Sequence, residues 1–130
     1  MSHFSTIKTE LRDPVALVAA LKDLGQTPSE AAQLLRGYQG QTQEADLCCP
    51  QADGGDIGFR WNSSEGRYEL VTDLDLWRLP IPIERFMSQL TQRYALHSIL
   101  NSASAEGFVV EEQQVSADGS IELVVTRWQG

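Results

Sequence analysis

A chain of 130 residues with 42% hydrophobic and 22% charged side chains holds material for one core and lies far from the composition of disordered segments. Its net charge of −8 argues against bulk attraction to nucleic-acid phosphates or to anionic membrane surfaces. No run of about 18 apolar residues occurs, and Met1 to Lys8 lack an apolar stretch of signal-peptide length, so the expectation is a protein that stays in its compartment of synthesis.

Residues His3 to Glu10, rich in Ser, Thr and Ile, predict a first strand, although Phe4, Ile7 and Leu11 also match a helical spacing. Asp13-Pro14 then supplies an N-cap and a first-turn proline for a helix whose apolar stripe is Leu17, Val18, Leu21 and Leu24, with Gly25 as its stop. From Thr27 to Cys49 the signals conflict. Thr27-Pro28-Ser29-Glu30 resembles a capping box leading into a short helix over Ala31 to Leu35, the glycines of Arg36-Gly37-Tyr38-Gln39-Gly40 would end it, and Glu44 to Cys49 can pair as a strand.

Alternation of Ile57, Phe59 and Trp61 with Gly58 and Arg60, turn residues at Asn62 to Gly66, and a further run from Tyr68 to Leu76 predict a hairpin. After the Pro-bounded segment Arg78 to Pro82 comes the longest helical signal, Ile83 to Glu106, with Ile83, Phe86, Met87, Leu90, Tyr94 and His97 in one stripe. Phe108 to Val115 and Ile121 to Trp128, joined through Asp118-Gly119, form a second hairpin. This order implies a single α+β domain over residues 1–130: an antiparallel sheet of about six to seven strands with two helices on one face, the second spanning about 82–106.

Several segments together resemble a known family: Met1 to Thr9, Arg36 to Thr42, Asp56-Ile57-Gly58-Phe59, Gln92-Arg93-Tyr94-Ala95 and Gly119-Ser120-Ile121. They are similar to the hypothetical chloroplast open reading frame family number thirty-five (Ycf type) of cyanobacteria and algal plastids, across nearly the whole chain. That resemblance implies a lineage and a compartment, the cyanobacterial cytoplasm or plastid stroma, and brings no activity, catalytic residue or cofactor with it.

The residues themselves offer no catalytic constellation and call for no cofactor or metal. Most arginines neighbour an aromatic, as in Arg36 with Tyr38 or Arg60 with Trp61, a pattern that stacks on nucleotides but arises equally when the aromatic enters the core and the arginine faces water. Asp73, Asp75 and Glu69 would share one strand face, either as a cation site or as a solvated surface with Arg60 opposite Glu69. His97, on the helix stripe, reads as a hydrogen-bonded histidine rather than an acid–base catalyst. Cys48 and Cys49 cannot bridge without strain and lack metal-site spacing, so two reduced thiols are expected on opposite faces of a strand. Gly37-x-x-Gly40 lacks the Lys and Ser or Thr of a phosphate loop and reads as a tight turn.

The second half of the long helix differs from the first, because Leu96, Ile99, Leu100 and Ala103 appear on the face opposite the stripe. Either another segment covers them, with Gln26 to Leu35 the candidate, or they are exposed for a partner. The leading expectation is therefore a non-enzymatic accessory protein that binds a protein partner or a second copy through Arg93, Leu96, Ile99 and Leu100. The alternative is a small-ligand or nucleotide-binding module with a pocket beside the sheet formed by Arg36, Tyr38, Arg60 and His97. Nucleic acid is the weakest partner class, and peripheral membrane association is left open.

Overall fold

The computed structural model describes residues 3–30, 33–52, 54–105, 108–115 and 121–127, with side chains as far as Ala103 apart from Gln33. Along them run β1 (Phe4–Lys8), α1 (Pro14–Asp23), β2 (Gln33–Arg36), β3 (Thr42–Ala45), β4 (Leu47–Cys49), β5 (Ile57–Asn62), β6 (Arg67–Asp73), α2 (Ile83–Ala105), β7 (Phe108–Val115) and β8 (Ile121–Arg127). One antiparallel sheet has the order β1-β6-β5-β4, while β2–β3 and β7–β8 are separate two-stranded pairs. The α+β class and both helices follow the sequence expectation. The strands, however, are divided among three sheets instead of joining one of six to seven.

Local sequence explains α1. The Asp13 carboxylate accepts the Val15 N–H at 2.9 Å and Pro14 opens the helix. Its end is closed by Gly25 at φ 81°, with Gly25 N–H donating to the Lys22 carbonyl and Gln26 N–H to that of Leu21, both at 3.0 Å. The first half of α2 presents Phe86 and Leu90 to Leu17, Ala20 and Leu21 of α1 and to Ile57, Phe59 and Leu70 of the sheet. All of these are at most 2% exposed, so both helices bury one shared face of the sheet. Ahead of α2, the Trp77 indole N–H donates to the Ile81 carbonyl at 2.8 Å and its ring meets Phe86 edge-on at 5.5 Å, which sets the helix entry.

Strand alternation sends Val71 and Cys48 to the other face, where they meet Leu35, Ala45 and Phe4 in a smaller cluster. The β2–β3 hairpin therefore lies across the back of the sheet as a third layer. Gly58 makes that approach possible, since a Cβ there would collide with both methyl groups of Leu35. The two cysteines divide as the alternation requires, Cys49 in the helix-side core and Cys48 in the hairpin-side cluster, both free thiols. Burial pushes the Cys48 thiol up, and that of Cys49 to about 12.

Two local expectations change. The helix expected from Thr27-Pro28-Ser29-Glu30 gives way to extended chain, because Ser29 exchanges backbone hydrogen bonds with Cys48 at 2.9 and 3.0 Å and Gln33–Arg36 pairs with β3. β6 stops at Asp73, whose carboxylate accepts the Asp75 N–H at 3.1 Å and turns Leu74–Leu76 into a short 3₁₀ segment. Asp73 is consequently buried and Asp75 exposed, which removes the shared strand face that a cation site required. The Asp118-Gly119 turn and Glu106 lie outside the described residues.

Candidate functional site

Chemistry-bearing side chains gather at three places: the α1–α2 crossing, the back of the sheet, and a groove beside the β5–β6 turn. At the crossing, the Tyr94 hydroxyl accepts the N–H groups of Arg12 at 3.0 Å and Asp13 at 2.8 Å, at the start of α1. Its neighbour Arg93 reaches the other end of α1, placing Nε and Nη2 at 2.9 and 2.8 Å from one oxygen of Asp23. His97 Nε2 stands 2.6 Å from the same Asp23 oxygen. Burial alone would raise the Asp23 pKa, but hydrogen bonds from His97 and Arg93 outweigh it and hold the carboxyl below its ordinary value.

One turn along α2, Leu96 is 3% exposed and Ala103 8%, while Ile99 is 49% exposed and Leu100 half-buried. The β7–β8 pair lies against α2. The stretch Gln26 to Leu35, expected as the cover, runs instead along β4 and into β2. Leu96 therefore belongs to the interior, and the exposed apolar surface of α2 narrows to Ile99 with part of Leu100.

At the back of the sheet, Asp56 is 2% exposed and accepts four N–H groups: the backbone of Gln51 at 2.8 Å, and the backbone, Nε and Nη2 of Arg36, each at 2.9 Å. Burial opposes its charge, yet these donors and the guanidinium hold its pKa below the usual carboxylate range and that of Arg36 above its own. Asp73, fully buried, accepts the Tyr38 N–H at 3.0 Å, and the Tyr38 ring rests 4.8 Å from that of His3. Arg60 pairs with Glu69 across the strands at 3.2 Å, as the sequence predicts. Arg36, Tyr38 and Arg60 thus lie on the hairpin side while His97 lies on the helix side.

The groove went unnoticed in the sequence. It has a volume of about 450 Å³ and is lined by Lys8 at the end of β1, Glu10 just after it, Glu65 of the β5–β6 turn, Arg67 at the start of β6, and Met87 and Thr91 of α2. The signal for it is a sign-alternating pair of doublets, Lys8-x-Glu10 and Glu65-x-Arg67, that antiparallel β1–β6 pairing brings together.

These features define an α+β protein with two helices on one face of a four-stranded antiparallel sheet and a two-stranded hairpin on the other; among the described residues no helix is long and apolar enough to cross a membrane. No solved structure matches the chain. Residues 20–124 match the family model described as protein of unknown function (DUF1257). The chain is similar to the uncharacterized protein ycf35 of Guillardia theta, 42% identical over 99% of both chains, and to those of Pyropia yezoensis, 38% over 98% of both, and Cyanophora paradoxa, 36% over 99% of both. It belongs to the ycf35 family, as the segments quoted from the sequence imply.

Proposed function

We propose that the protein is a non-enzymatic accessory protein of the plastid or cyanobacterial cell that acts by binding a partner protein through the exposed side of α2. The observation that supports this reading is Ile99, a large apolar side chain 49% exposed on a helix whose other flank is anchored by the Arg93–Asp23–His97 cluster. An exposed apolar side chain on a rigid element is suited to anchor a partner surface. Leu100 extends the apolar contact, whereas Leu96 supports the helix from within.

Affinity purification from a cyanobacterial host tests it, comparing the wild type with Ile99→Glu and with Val15→Glu, the latter at an α1 position 66% exposed and remote in sequence. The expected result is one stoichiometric protein partner that Ile99→Glu loses and Val15→Glu keeps. Identical recovery from all three folded proteins rules the surface out.

A further inference from the structure

We propose that the outer edge of β1 pairs with β1 of a second copy of this chain, antiparallel and centred on Thr6, so that two four-stranded sheets join into one. This surface is separate from the exposed side of α2 and uses none of its residues. The starting point is the direction of the β6 backbone. The Tyr68 N–H donates to the Leu11 carbonyl at 2.8 Å and the Tyr68 carbonyl accepts the Thr9 hydroxyl at 2.6 Å, so Tyr68, and with it Leu70 and Thr72, turn their amides and carbonyls towards β1. Leu70 and Thr72 stand opposite Ile7 and Ser5. Ser5 and Ile7 therefore give both backbone groups to β6, while Thr6 and Lys8 turn theirs the other way. Among the described residues no strand pairs with that side of β1, no backbone hydrogen bond from elsewhere reaches Thr6 or Lys8, and both residues are exposed. The opposite edge of the same sheet is closed, since Ser29 exchanges two hydrogen bonds with Cys48 of β4. An open row of backbone donors and acceptors is a template for one more strand.

The residues of β1 select a second copy as that strand. A two-fold axis at Thr6 sets Thr6 against Thr6 as a hydrogen-bonded pair, with about 5.5 Å between their Cα atoms, and sets Lys8 opposite Phe4 of the other copy. Phe4 packs in the hairpin-side cluster, so alternation puts Thr6 and Lys8 on that face as well. His3, next to Phe4, stands 3.5 Å from the carboxylate of Asp75, a side chain 77% exposed. Lys8, 80% exposed and only 3.9 Å from Glu65 within its own chain, is thereby brought to Asp75 of the second copy. A lysine on an edge strand ordinarily blocks pairing, but the antiparallel register gives this one an opposite charge, whereas a parallel register would set Lys8 beside Lys8. On the helix face, Ser5 of each copy lies across from Ile7 of the other and covers an apolar side chain left half-buried in the single chain.

Sedimentation velocity of the full chain over about 5 to 500 µM tests the proposal, with a dimer expected at a Kd of roughly 10 to 100 µM for an interface of this small size. In hydrogen exchange, the amides of Thr6 and Lys8 should slow as concentration rises, while that of Ile7, bonded to β6, stays protected throughout. Thr6→Pro removes an N–H that β6 does not use, so the chain should fold and associate more than about tenfold less tightly, whereas Thr6→Val should associate like the wild type. If Thr6→Pro does not fold, the charges carry the test: Lys8→Glu should weaken association about tenfold, and Lys8→Glu with Asp75→Lys should restore it. Ile99→Glu should leave the dimer intact, which separates this edge from the α2 surface. A chain that stays monomeric at the highest concentration overturns the proposal. So does a dimer that folded Thr6→Pro retains, or one that Lys8→Glu leaves as tight as before.

Discussion

The two faces of the four-stranded sheet are held by different physics. The helix face buries Leu17, Leu21, Ile57, Phe59, Leu70, Phe86 and Leu90 in one apolar cluster, and any comparable set of side chains filling that volume would serve. The hairpin face has a cluster only as large as Leu35, Ala45, Cys48 and Val71, with Phe4 against it, and is fastened by two buried carboxylates. Asp56 gathers the backbone and side chain of Arg36 at one end of β2, and Asp73 receives the Tyr38 N–H from the turn that follows. Hydrophobic burial is non-directional and sets how tightly the helices sit, whereas a hydrogen-bonded carboxylate fixes where one strand end must lie. A pair of short strands that could slide over the sheet is thereby pinned in register and position.

Four measurements break or sharpen this contrast. Phe59→Ala should cost about 4 kcal/mol of unfolding free energy in urea, the usual penalty for emptying an aromatic site in a core, and should loosen the whole chain in one transition. Asp56→Ala should cost about 3 kcal/mol by leaving Arg36 and two backbone N–H groups without their acceptor. Hydrogen exchange should place its damage first in β2 and β3, and uniform loss of protection would refute the division between faces. Gly58→Ala should cost about 2 kcal/mol, because the added methyl meets Leu35 and Ala45, and it should leave α1 and α2 protected. Asp23→Asn should cost at most about 1 kcal/mol, since its partners Arg93 and His97 remain partly exposed.

The pH response follows from the same carboxylate. Folding lowers the pKa of Asp56, so its contribution is present above the unfolded value near 3.9 and is lost as pH falls through the folded value. Acid unfolding monitored below about pH 4 should therefore be steeper for the wild type than for Asp56→Asn. Equal acid slopes in the two proteins would remove Asp56 from the account.

Much of the fold was legible locally. Asp13-Pro14 and Gly25 bounded α1, the stripe from Ile83 to Tyr94 marked the buried side of α2, alternation from Ile57 to Trp61 gave β5, and adjacency in a strand gave the opposite orientations of Cys48 and Cys49. Family membership was legible as well. The segment Thr27 to Arg36 was not, because its capping signals favour a helix by a margin smaller than the gain from pairing Ser29 with Cys48 and seating Leu35 over Gly58. Nor was the fate of the far side of α2, where identical apolar spacing ends in an interior Leu96 and an exposed Ile99.

What the sequence determined by itself is everything that depends on neighbours within a turn or a strand: caps, stripes, alternation, and the hairpin at Asn62 to Gly66. What only the tertiary structure decided is where the hairpins lie and which distant charges meet. It laid β2–β3 across the sheet instead of at its edge, brought Arg36 to Asp56, and set Arg67 between Glu10 and Glu65. Those outcomes rest on small differences in burial and desolvation between chain segments far apart in sequence. A period of two or of 3.6 residues carries no record of them.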